Sequence, residues 1–77
     1  MEDGQVLHHI DQLAQEEHRL FTKEQLSTEE LNRLRAITVE LDQCWDLLRQ
    51  RRGLRDAGAD PNAATVRPAD VVERYEE

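Results

Sequence analysis

Long hydrophobic runs are missing from this chain, and aromatics, prolines and glycines are few. No apolar stretch approaches the ~18 residues of a membrane-spanning helix, which excludes a span. The opening Met1-Glu2-Asp3-Gly4 is acidic and no apolar segment follows it, so no secretory signal is expected. Cys44 is the only cysteine, which excludes a disulfide framework and fits a reducing, cytoplasmic compartment. There is no glycine-rich phosphate loop and no nucleophile set beside a base. With 77 residues and 9.0 kDa there is little material for a catalytic pocket, so the expectation is a single non-catalytic domain without a cofactor.

What the chain has in abundance is charge. Charged residues make up 35% of it, against about 25% in an average protein. The net charge is −7, but it is unevenly spread. Residues 1–26, 27–48 and 56–77 are each acidic. Residues 49–55 hold four arginines and no acid. The pattern is an acidic body with one compact basic island.

Leu, Glu, Gln, Arg and Ala dominate residues 5–57, and both prolines, Pro61 and Pro68, lie beyond them. Such side chains lose little rotamer freedom in a helix. Val6, Ile10, Leu13 and Leu20, flanked by Leu7, Ala14 and Phe21, form an apolar stripe of helical period over residues 4–24, interrupted by Glu17. Asp3 is the expected N-cap. Ser27-Thr28-Glu29-Glu30 fits a capping box, with Leu26 and Leu31 at the spacing of a hydrophobic staple. A second helix is therefore expected over 28–57, with Gly58 at its C-terminal end. The few residues between the two make them antiparallel neighbours. Leu31, Leu34, Ile37 or Thr38, Leu41, Cys44 or Trp45, and Leu48 give it a coiled-coil-like seam of about two and a half heptads.

The tail, 58–77, reads as irregular. Asp60-Pro61-Asn62 is a turn. Thr65-Val66-Arg67 is extended, because Arg67 precedes a proline. Pro68 then opens a short helix over 68–75 as its first residue. The expected fold is an all-α antiparallel helical hairpin with an irregular C-terminal tail ending in a short helix. A hairpin of this size leaves half of each helix uncovered. Either the tail covers it or a second copy does, and a homodimer is the expected state.

The candidate partner-binding residues are Trp45, Arg49, Arg51, Arg52 and Arg55. Trp45, Arg49 and Arg52 share one helix face, and Arg51 and Arg55 form a second row. Arginine forks fit phosphates and carboxylates, and an aromatic beside them anchors a protein or stacks on a base. The competing reading is that Trp45 is core and the arginines pair with Glu40, Asp42, Asp46, Asp56 or acids of the tail. An acidic or phosphate-bearing partner surface is expected, and removal of Arg49, Arg51 and Arg52 together is expected to leave helicity intact but abolish partner capture. Nucleic acid is the alternative, disfavoured by the overall −7. His8, His9 and His18 lack the i,i+3 or i,i+4 spacing of a helical metal pair, so no metal is expected. Cys44 lies on the apolar stripe and reads as a small buried hydrophobe rather than a reactive thiol.

Three segments are distinctive. They are His9-Ile10-Asp11-Gln12-Leu13 with Glu16-Glu17-His18, Leu41-Asp42-Gln43-Cys44-Trp45-Asp46-Leu47-Leu48-Arg49-Gln50-Arg51-Arg52, and Val66-Arg67-Pro68-Ala69-Asp70-Val71-Val72-Glu73-Arg74-Tyr75. Through them the chain resembles, over almost its whole length, a family of small actinobacterial proteins of unknown function. The resemblance implies a bacterial, cytoplasmic, stand-alone small protein. It implies no activity and no site residues.

Overall fold

The computed structural model describes residues 2–73. Its order is α1 (Asp3–Phe21), α2 (Thr28–Asp56), a 3-10 turn (Pro61–Ala63) and α3 (Ala69–Glu73), with no strand among the described residues. Arg74 and Tyr75, expected to complete the last helix, lie outside the described residues.

Both long helices start where the backbone donors find side-chain acceptors. At α1 the N-cap is Glu2 rather than Asp3: the Glu2 N–H donates to Gln5 Oε1 at 2.9 Å. Asp3 is drawn instead to arginines of α2. At α2 the expected capping box forms. The Glu30 N–H donates to Ser27 Oγ, and the Ser27 N–H donates to Glu30 Oε1, both at 3.1 Å. Lys23 pairs with the same Glu30 carboxylate and holds the connecting loop against the helix start. Leu26 packs on the lower part of the core, whereas Leu31 stays exposed, so the expected staple seals little.

The helix ends have equally local causes. α1 stops at Phe21, three residues short of expectation, where Thr22 Oγ1 donates to the Arg19 carbonyl at 2.8 Å. α2 ends in a Schellman arrangement. The Gly58 N–H donates to the Arg55 carbonyl and the Ala59 N–H to the Leu54 carbonyl, at 3.0 and 2.8 Å. Gly58 takes the left-handed φ of 75° that this ending requires. Pro68 caps α3 from outside: its carbonyl accepts from the Val71 and Val72 N–H groups, so it is the N-cap and not the first helical residue.

α1 and α2 are antiparallel. Val6 and Ile10 pack on Leu47 near the open end, and Leu13 and Leu20 pack with Ile37 near the loop. Leu41 and Cys44 touch both clusters and join them. Ile37 is fully buried, worth about 2–3 kcal/mol of apolar burial. The tail folds back on α2. Val72 is buried, Ala64 packs on the cluster near the open end, and Gln43 Nε2 and Gln50 Nε2 donate to the Arg67 and Thr65 carbonyls at 3.1 and 2.8 Å.

The two glycines of α2's end respond in opposite ways to a methyl group. A Cβ at Gly53 meets nothing within 4 Å and its φ is helical. Gly53→Ala therefore stabilises by about 0.5–1 kcal/mol. Gly58→Ala, at positive φ, destabilises by about 1 kcal/mol. Thermal unfolding of both variants reads the signs, and a stabilised Gly58→Ala is incompatible with the Schellman ending.

Candidate docking surface

The basic island of α2 divides in two. Arg51 is 5% exposed and points into the molecule. Its Nε donates to Asp3 Oδ1 at 2.5 Å, and its Nη1 donates to Asn62 Oδ1 at 3.0 Å and to the Pro61 carbonyl at 3.3 Å. Arg55 reaches the other Asp3 oxygen at 2.7 Å. One carboxylate at the start of α1 thus receives two guanidinium groups from α2, and one of them also grips the 3-10 turn. Among the described residues, Arg51 and Arg55 form ion pairs with neither α2's own acids nor acids of the tail. They close the open end of the hairpin onto the first residue of α1. Removing Arg51 takes away a structural tie, so a variant that lacks Arg51 together with Arg49 and Arg52 reads folding as well as docking.

Arg49 and Arg52 have the opposite character. Both are exposed, and neither belongs to any ion pair among the described residues. With Trp45 and Leu48 they line an open depression of about 230 Å³. Trp45 is 47% exposed and absent from both core clusters, so it is not a core side chain. Helical spacing brings the three together: Arg49 and Arg52 stand one and two turns beyond Trp45.

Asp46, next in sequence to Trp45, faces the other way and is 1% exposed. Its carboxylate receives Arg67 Nε at 2.8 Å on one oxygen and Arg67 Nη2 on the other, and Gln50 Nε2 at 2.9 Å. The Arg67 hydrogen bonds, and after them Gln50, hold the Asp46 carboxyl below the usual range against the opposing effect of burial. Composition gave no hint of this buried pair. Nor did the neighbours in sequence: Leu47 beside Asp46 is buried, but Trp45, Val66 and Pro68 are exposed.

The remaining titratable candidates are quiet. His9 Nε2 lies 2.9 Å from Glu40 Oε1 on the surface, and no metal-binding cluster exists among the described residues. Cys44 is half-buried between α1 and α2, beside a second depression of about 240 Å³ bounded by Val6, Leu47 and Val66. Burial, and then the Glu40 charge, push its thiol up, away from the thiolate that reactivity needs.

The class this arrangement defines is a small all-helical hairpin, closed at one end by an arginine clasp and backed by its own tail. The chain belongs to the family described as "Protein of unknown function (DUF2630)", whose model matches residues 2–77. It is 53% identical over 79 residues to Uncharacterized protein Rv0898c of Mycobacterium tuberculosis and, equally, to Uncharacterized protein Mb0922c of Mycobacterium bovis. The alignment covers 95% of this chain and 88% of each relative. No solved structure matches the chain. No helix of the described residues is long and apolar enough to cross a membrane.

The two halves of the island separate in a stability measurement. Arg51→Ala, which strands Asn62 and halves the support of Asp3, costs about 2–3 kcal/mol in urea unfolding. Arg49→Ala and Arg52→Ala each stay within about 0.5 kcal/mol of the parent. Equal losses at all three positions would contradict the division. Acid should also act through Asp3. Hydrogen bonds from Arg55 and then Arg51 lower its pKa from 3.8 to about 2. A depressed folded-state pKa means the stabilisation is complete above about 3.8 and is lost as pH falls toward 2. Thermal stability therefore drops over that window, and Asp3→Asn, already less stable at neutral pH, drops less. An Asp3→Asn variant with an unchanged acid slope would remove the clasp from the account.

Proposed function

We propose that the protein is a non-catalytic interaction protein that docks through Trp45, Arg49 and Arg52 on an acidic protein surface. The observation that carries this reading is the pairing state of the arginines. In a chain of net charge −7, Arg49 and Arg52 belong to no ion pair among the described residues and share a helix face with a half-exposed tryptophan. Tryptophan and arginine are the side chains that contribute most per residue at protein interfaces. Arg51 and Arg55, committed to Asp3, support the site from behind, and Arg51 is buried away from a partner's reach. The acidic body favours a protein over nucleic acid, because phosphate binding is dominated by charge neutralisation over many contacts, and two arginines supply few.

The Arg49→Ala, Arg52→Ala double variant tests the reading. It keeps the helical circular dichroism of the parent and loses at least tenfold in recovery of the parent's partners from nuclease-treated lysate. Undiminished recovery by the double variant would overturn the reading. Recovery that disappears on nuclease treatment of the parent would replace it with a nucleic-acid contact.

A further inference from the structure

The open depression at Trp45 is one end of a longer surface. Along α1, Leu7, Ala14 and Phe21 each follow a buried seam residue by one position: Val6, Leu13 and Leu20. Along α2, Leu31, Thr38 and Trp45 each follow Glu30, Ile37 and Cys44 by one, all of them wholly or partly buried. One step is about 100° round a helix. The two helices are antiparallel and face each other, so the same rotation on both carries both stripes to the same side of the hairpin. The opposite rotation leads to the side occupied by the tail. There, His9 pairs with Glu40, Glu16 pairs with Arg33, and Gln43 donates to the Arg67 carbonyl. One broad side is therefore polar and backed by the tail. The other is lined with exposed apolar side chains: of the five large hydrophobics exposed among the described residues, Leu7, Phe21, Leu31 and Trp45 all lie on it.

We propose that this open side is covered by a second copy of the chain, in an antiparallel four-helix arrangement. The proposal rests on the docking reading above and names the acidic surface as the protein's own. Two features point to a copy rather than an unrelated partner. The first is symmetry. Val6 packs on Leu47, so Leu7 stands level with Trp45, and seven-residue steps bring Ala14 level with Thr38 and Phe21 level with Leu31. The surface has large apolar side chains at both ends and Ala14 and Thr38 in the middle, with the polar Asp11, His18, Arg35 and Asp42 one turn on from Leu7, Ala14, Leu31 and Thr38. A two-fold axis through the middle maps each end of one copy onto the opposite end of the other, the self-complementary contact of a symmetric dimer. Ala14 and Thr38 then let the helices approach where the faces cross.

The second feature is charge. The same axis carries the Arg49–Arg52 end of one copy over the loop end of its partner. Residues 17–30 hold four acids and two bases, and Glu24 in the loop is exposed and in no ion pair among the described residues. Both ends of the dimer thus match a basic patch with an acidic one. The 19 residues of α1 make a face roughly 28 Å long and about 20 Å wide, on the order of 1,100 Å² in the pair. That just clears the ~1,000 Å² expected of a specific interface, so the dimer is a weak one and concentration-dependent.

Sedimentation velocity on the full chain, from about 5 μM to 500 μM, tests the proposal. The expected result is a shift from the mass of one chain toward two within that range. Phe21→Asp, at a 63% exposed side chain, should hold the protein monomeric with its helicity unchanged. Arg49→Glu with Arg52→Glu should weaken association at least tenfold, and so should Glu24→Lys. Mixing these two charge variants should restore dimers that neither forms alone, because each supplies the sign the other needs. A chain that stays monomeric throughout, or a dimer indifferent to Phe21→Asp and to both charge variants, would overturn the proposal. A monomer whose Arg49 and Arg52 still govern partner recovery would remove the second copy and leave the docking reading standing. A dimer weakened by both charge variants, whose arginines recover no other protein, would leave the second copy as the docked surface.

Discussion

The carboxylate of Asp3 is where the two long helices are held shut. The α1–α2 seam is short and interrupted by Glu17, and its two apolar clusters are small. At the loop end the chain itself keeps the helices together, and the capping box with Lys23 stiffens the turn. At the open end nothing covalent does so. There Arg51 and Arg55 meet Asp3 at the N-terminus of α1, where the helix dipole also favours an anion. Because Arg51 extends on to Asn62 and Pro61, the same contact sets the direction in which the chain leaves α2. The tail can then run back along the helix that it backs.

The second commitment is Asp46. A carboxylate at 1% exposure is costly unless its charge is met. Arg67 meets it from the tail, and Gln50 completes it. Among the tail's described residues only Val72 is buried, so apolar contact there would hold it weakly. The Asp46–Arg67 pair, with the glutamine donors on either side, makes its placement specific rather than merely favourable. One side of the hairpin is thus closed by polar chemistry. The other side, reached by turning the opposite way from the seam, keeps its hydrophobic side chains with Arg49 and Arg52.

Much of the fold was legible along the chain. The Ser27–Glu30 box, the helical spacing of the apolar residues, and Gly58 followed by Pro61 each carry a short-range cause, and each is found where it was expected. The misses are also local. A threonine hydroxyl ended α1 early, an arginine clasp drew Asp3 away from capping, and Pro68 fell one position outside its helix. The basic island was visible as composition, but its division was not. Arg49, Arg51, Arg52 and Arg55 look alike in sequence. Their roles separate only when Asp3, 46 residues or more away, arrives at two of them.

The sequence by itself therefore determined the elements: two amphipathic helices, their caps, the turn between them and the polarity of the chain. These depend on contacts among residues a few positions apart, which periodicity and capping chemistry reveal. Only the tertiary structure decided which charges are buried and which side of the hairpin is left open. Both follow from the antiparallel pairing of the helices, which turns a rotation of 100° round each axis into membership of one face or the other. Pairing at that range is decided in space, and a list of residue types does not contain it.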